Sequence, residues 1–200
     1  MIDEGYIKFS CNCNFNPISI PGNILSSLNN CRTKFYNLGL IGICENGIGF
    51  GNVSCKRAGN SFIITGSATG GKTFLEVNDY ALVTDWDHDQ NRIDCSGGTK
   101  ASSESLSHAA IYESDNKIGA VVHVHSKKMW DKYIDMLPTT PKEIQYGTPE
   151  MAHALMDLFQ TGHVQGSGTI IMGGHADGVL AFGKDLDEAT QILLDHFTNF

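Results

Sequence analysis

Strand and helix patterns interleave along this chain of 200 residues, which predicts an α/β fold with a sheet at its core. Three observations carry the prediction. The apolar run Ile118-Gly119-Ala120-Val121-Val122 leads into His123-Val124-His125 and reads as a strand. Two further apolar stretches, residues 169–172 and 179–182, flank the turn Gly173-Gly174-His175-Ala176-Asp177-Gly178. Between and around them, apolar residues recur at helical spacing.

The elements follow in order. Ile24, Leu25, Leu28, Phe35 and Leu38 predict an amphipathic helix over about residues 23–38, introduced by Pro21-Gly22. A glycine-rich stretch follows. There Gly49-Phe50-Gly51-Asn52-Val53-Ser54 reads as a loop entering a strand that continues into Ser61-Phe62-Ile63-Ile64-Thr65, with short strands and glycine turns after it. Leu106, Ala109, Ala110 and Ile111 predict a helix over residues 105–113, capped by Ser102 and Ser103. After the histidine strand come a helix over 127–136, a turn at 146–150, and a helix over 150–159 with Met151, Ala154, Leu155 and Leu158 inward. A closing helix spans 185–197.

Composition narrows the class. A net charge of −8, with lysines and arginines scattered singly, supplies no basic stripe for nucleic acid and no polybasic membrane patch. No apolar run approaches the roughly 20 residues of a bilayer span, and Met1-Ile2-Asp3-Glu4 is acidic where a signal peptide is basic. The six cysteines form no C-x-x-C pair and read as reduced thiols, so the cytoplasm is the expected compartment. With no repeat or linker, residues 1–200 are expected to form a single domain.

The chemistry concentrates in histidines. Alternate strand residues face one side, so His123 and His125 can grip one ion, and His175 would complete a three-ligand site with an open position, as in catalytic zinc centres. Spacing alone also fits hydrogen-bonded histidines at a strand end. Asp85-Trp86-Asp87-His88-Asp89 lacks the glycine and spacing of a calcium loop and reads as a solvated turn. His108, His153, His163 and His196 read as surface or satisfied residues.

Six segments, in order, carry a resemblance. They are Gly51-Asn52-Val53-Ser54, Ile64-Thr65-Gly66, Ser102-Ser103-Glu104, Ala120 to Ser126, Tyr146-Gly147-Thr148-Pro149-Glu150 and Gly174 to Gly183. From about residue 24 to 197 the chain resembles the class II aldolase/adducin family. The resemblance implies a three-layer α-β-α architecture with a central, largely antiparallel sheet. It implies one zinc per chain on His123, His125 and His175, with Glu104 as catalytic acid/base and further zinc ligand. It places substrate phosphate on Gly51, Asn52, Thr65, Gly66, Ser102 and Ser103. The activity it implies is aldehyde-lyase cleavage of a small phosphorylated ketose. Sugar-phosphate 4-epimerisation and methylthioribulose-phosphate dehydration use the same scaffold.

A non-catalytic, adducin-like structural role is the reading of another class, and retention of all three histidines argues against it. The family also implies a homotetramer with sites at subunit boundaries. Two departures stand out: residues 126–145 are fewer than in the sugar-phosphate aldolases, which carry a proton-donating tyrosine there, and little chain follows the last helix, where fuculose-phosphate aldolase has an aromatic tail. Tyr133 and Tyr146 lie near the shortened segment without matching that tyrosine.

Overall fold

The computed structural model describes residues 6–164 and 166–199; the acidic start, residues 1–4, lies outside them. The elements run β1 (Ser10–Asn14), α1 (Gly22–Asn37), β2 (Gly42–Ile43), β3 (Gly49–Phe50), β4 (Asn52–Arg57), β5 (Ser61–Thr65), a 3-10 turn (Val77–Asp79), β6 (Tyr80–Asp87) and β7 (Arg92–Gly97). They continue with α2 (Ser105–Ser114), β8 (Ala120–His125), α3 (Lys127–Tyr133), α4 (Pro149–Gln160), β9 (Thr169–Ile171), β10 (Gly178–Gly183) and α5 (Leu186–Thr198).

Eight strands form one sheet in the order β1-β7-β6-β5-β4-β8-β10-β9, and β2 pairs with β3 beside it. Among the strands of the described residues β1 and β7 run parallel and the other strand pairs are antiparallel. Helices cover both faces. Val121, Phe62 and Ile64 pack with Leu106 and Ala110 of α2 and Met151 and Leu155 of α4. Their strand neighbours Val122, Val124 and Ile63 pack with Leu28 and Phe35 of α1, Met129 of α3 and Leu193 of α5. The two-residue alternation of a strand buried on both sides builds this three-layer arrangement.

Local signals fix the later helices. Thr148 caps α4 by accepting from Met151 N–H, with Pro149 at the first position, and Asp185 caps α5 by accepting from Glu188 N–H. Three expectations need correction. The strand entered at Asn52 does not run on to Thr65: it stops at Arg57 and turns back as a hairpin, since Ala58-Gly59-Asn60 favours a turn, with Gly59 at φ +73°. The helix over 127–136 is shorter, ending at Tyr133. Asp85–Asp87 belong to β6 and His88 begins the tight turn to β7, so this stretch is not a solvated loop: the His88 side chain is only 10% exposed and its Nε2 meets Glu113 Oε2 at 3.0 Å.

Among the described residues no helix is long and apolar enough to cross a membrane. All six cysteines are free thiols.

Candidate active site

The site forms where β4 begins and β5 and β8 end, beside the start of α2. On β8, alternation turns His123 and His125 to the α2/α4 face, while Val122 and Val124 face the other core. The turn from β9 to β10 brings His175 against them. Ring centroids lie 4.9 Å apart for His123–His125, 5.2 Å for His123–His175 and 4.7 Å for His125–His175, and one nitrogen from each ring falls within 4.8 Å of the others. His125 Nε2 and His175 Nε2 approach to 2.9 Å.

Two polar atoms here are buried without a hydrogen-bond partner: His123 Nε2 and Glu104 Oε1. Leaving such atoms unsatisfied is costly in a folded interior, and a cation among them would satisfy them. Burial holds His123 well below the ordinary imidazole range, with His125 and His175 adding to the effect, so it is neutral, the form that donates a lone pair to a metal. The donor set, three imidazoles and a carboxylate, suits zinc. The residues present therefore fit the metal.

Glu104 sits at the N-cap of α2, 2% exposed, one Oε accepting from Ser107 Oγ at 2.7 Å and the other 3.9 Å from His175 Nδ1. The expected serine cap of α2 is absent, and no side chain caps it. Instead the Ser102 carbonyl accepts from Ser105 N–H at 3.0 Å and Ser105 Oγ at 2.7 Å, which leaves the Ser102 and Ser103 hydroxyls to the cavity. That cavity is lined by Gly51, Asn52, Gly66, Ser102, Ser103, Glu104, His123 and His175, among others. All eight are expected phosphate or metal residues that the fold brings together, Glu104 in a catalytic role as well.

Among the expected phosphate residues Thr65 is the exception. It is buried at the end of β5, absent from the lining, and its Oγ1 accepts from Val53 N–H at 3.2 Å, so it ties β4 to β5 rather than facing the cavity. Gly51 has φ +75°, and a Cβ there would lie 2.7 Å from Ile41 and 3.1 Å from the His123 carbonyl, so only glycine lets the chain pass this close to the histidine strand.

The segment Ser67-Ala68-Thr69-Gly70 completes the lining and was missed in the sequence. Ala68 is held at φ +62°, a left-handed conformation uncommon for alanine. Arg32 of α1 fastens this loop from behind: 1% exposed, it donates to the carbonyls of Thr69 at 2.9 Å and Gly70 at 3.0 Å. An arginine on the buried face of this helix, beside Asn29 and among Leu28, Cys31 and Phe35, is the sequence signal. Residues 66–73 also spell Gly-x4-Gly-Lys-Thr, the pattern of a nucleotide phosphate loop, but turns follow instead of a helix and Lys72 points outward to Asp79.

Of the two tyrosines near the short segment, Tyr133 is distant in role, donating to the His196 carbonyl at 3.1 Å. Tyr146 is 6% exposed and packs edge-to-face on His175, centroids 4.4 Å apart at 88°. His108 is no surface residue. It is fully buried with Nδ1 2.7 Å from Ser54 Oγ, and burial pushes it down to about 3.

A family model, the class II aldolase and adducin N-terminal domain, matches residues 38–195. The chain belongs to the class II aldolase/adducin family. It is 33% identical to an L-fuculose phosphate aldolase of Methanocaldococcus jannaschii over 153 residues, 70% of this chain and 75% of that protein. It is 40% identical to a methylthioribulose-1-phosphate dehydratase of Granulibacter bethesdensis over 76 residues, 38% of this chain and only 33% of that protein. Among solved structures, YgbL from Escherichia coli superposes with a TM-score of 0.65 at 18% identity, over 86% of this chain and 84% of that one. At that identity the likeness concerns the fold, a largely antiparallel sheet flanked by helices, as the family resemblance implied.

Proposed function

We propose that this protein is a zinc-dependent lyase that cleaves a small phosphorylated ketose by a retro-aldol reaction. The observation that carries the reading is a cluster of three imidazoles, two of which line one cavity together with a buried carboxylate and a rim of hydroxyls, an amide and glycine backbone. Similarity to the L-fuculose phosphate aldolase over most of both chains supports it.

His123, His125 and His175 would hold the zinc, with Glu104 beside them. A zinc bound there supplies Lewis acidity toward a carbonyl oxygen. Asn52, Ser102 and Ser103 bind the phosphate with neutral donors, aided by backbone amides near Gly51 and Gly66; no lysine or arginine lines the cavity among the described residues. Binding by dipoles leaves the phosphate without a fixed ion pair and orients the ketose toward Glu104.

As the carbon–carbon bond breaks, its electron pair stays with the ketone-side fragment, while the other fragment's hydroxyl gives its proton to the Glu104 carboxylate and becomes an aldehyde. Glu104 delivers a proton to the carbon left with the pair, through the oxygen that no protein donor occupies. Ser107 holds the other oxygen and so fixes the carboxyl plane. Burial of the site excludes water that would quench the fragment early.

Dehydration is the second reading, favoured by the 40% identity with the dehydratase segment; 4-epimerisation would use the same cleavage followed by recombination. Assembly as a cytoplasmic homotetramer belongs to the same proposal. The test is incubation of zinc-loaded protein with a panel of phosphorylated ketoses, followed by NMR of the products. Two carbonyl fragments support the lyase, a single product lacking water supports the dehydratase, and no turnover of any sugar phosphate by zinc-bound protein would overturn both.

A further inference from the structure

Strand β1 and the residues leading into it precede the segment matched by the family model, yet they reach the back of the candidate metal site. Lys8 places its Nζ 4.0 Å from the centroid of the Tyr146 ring, and Tyr146 packs edge-to-face on His175. We propose that Lys8 and Tyr146 are positioning residues for the metal ligand His175, so that the N-terminal strand sets metal affinity. The inference rests on the metal reading above.

The contact is built, not incidental. Phe9 is 5% exposed in the core shared by α2 and α4, which anchors the residue next to Lys8. Asn91, in a left-handed conformation at φ +49°, donates from Nδ2 to the Lys8 carbonyl at 3.1 Å and to the Gly147 carbonyl at 3.4 Å. The Asn91 carbonyl accepts from Ser10 N–H at 2.8 Å. One side chain in the β6–β7 turn thus clamps the N-terminal segment and the Tyr146 loop to each other. Gly147, at φ +69°, faces the Lys8 stem, and a Cβ there would sit 3.4 Å from the Lys8 Cβ. β1 then continues along β7 in parallel register from Ser10↔Arg92 to Asn14↔Ser96.

The physical consequence concerns orientation. His175 has the other two histidines on the site side and Tyr146 against it. A ligand held by its surroundings before the ion arrives loses less rotational freedom on binding, which is why outer-shell partners raise metal affinity. A cation seated on an aromatic ring is attracted by the negative face of the ring, which biases the ring's placement. Aromatic edge-to-face contact then passes that placement to the imidazole.

The test measures zinc affinity by chelator competition, with the cobalt(II) absorption spectrum as a second readout, in wild type, Lys8→Ala, Lys8→Arg, Tyr146→Leu and Asn12→Ala. Lys8→Ala and Tyr146→Leu are expected to weaken zinc about tenfold and to alter the cobalt bands, as outer-shell changes do. Lys8→Arg restores affinity because a guanidinium also stacks on the ring. Asn12→Ala removes the bond to Asp94 that helps hold β1, without touching Lys8, and leaves affinity unchanged. Wild-type zinc binding with unaltered affinity and spectra in Lys8→Ala and Tyr146→Leu would overturn this inference alone. A folded wild type that takes up no zinc would overturn the metal reading, and this inference with it.

Discussion

Asn52 on β4 and His123 on β8 are direct cross-strand partners, and their buried side chains meet with the Asn52 amide nitrogen 3.3 Å from His123 Nδ1. The relationship decides which histidine nitrogen is available. Asn52 Oδ1 has no partner. A half-turn of the amide puts Oδ1 on a protonated Nδ1, fixes the tautomer with a lone pair on Nε2 inside the site, and turns the NH2 toward the phosphate rim.

Asn52→Leu therefore removes both functions. Zinc affinity is expected to fall about 10- to 100-fold, the usual cost of losing a ligand's outer-shell partner, and discrimination for phosphorylated over unphosphorylated ketoses is expected to fall with it. Chelator competition and KM for the two substrate forms check this. Unchanged zinc affinity would remove Asn52 from the ligand's support.

Glu104→Gln keeps the shape of the side chain and removes the proton carrier. Turnover is expected to fall by about 10²–10⁴-fold while most zinc binding survives on the three histidines. Steady-state kinetics on metal-loaded protein check it, and turnover equal to wild type would take the proton transfer away from Glu104.

Ser103→Glu introduces a carboxylate into the phosphate rim, 8% exposed in the native protein. Repulsion is expected to raise KM for phosphorylated substrates at least tenfold more than for their unphosphorylated analogues. Equal loss for both would move the phosphate elsewhere in the cavity.

His108 predicts the acid side of the stability curve. Folded, it is pushed down to about 3 by burial, whereas an unfolded imidazole titrates near 6.5. The unfolded chain thus binds a proton that the folded chain refuses, and stability falls as pH drops from about 6.5 toward 3, by about 1.4 kcal/mol per pH unit for this group. Urea unfolding of metal-free protein between pH 7 and 4 measures it. His108→Gln is expected to flatten the slope by that amount; an unchanged slope would mean His108 is protonated in the folded state.

What the sequence revealed was what is local or periodic. The i, i+2 histidines on an apolar strand, the Thr148-Pro149 start of α4 and the Asp185 start of α5 are each written within a few residues, and the fold uses them as written. β1 was not legible because Ser-Cys-Asn-Cys-Asn alternates only two small cysteines with polar residues, a weak strand signal, and is held by pairing with β7, some 80 residues later. The same applies to the site's support. Arg32 beneath the Thr69–Gly70 carbonyls, Tyr146 against His175 and Thr65 turned to Val53 depend on chain returns that no spacing rule encodes. The serine pair misled for a complementary reason: a capping motif was satisfied by a backbone carbonyl, which freed the hydroxyls.

The most direct test of the central claim is the metal content of purified, folded protein by elemental analysis, beside the His123→Ala/His125→Ala double variant. The account predicts about one zinc per chain in the wild type and none in the variant. A folded wild type that holds no zinc after zinc is offered, or a double variant that holds as much as wild type, would contradict it.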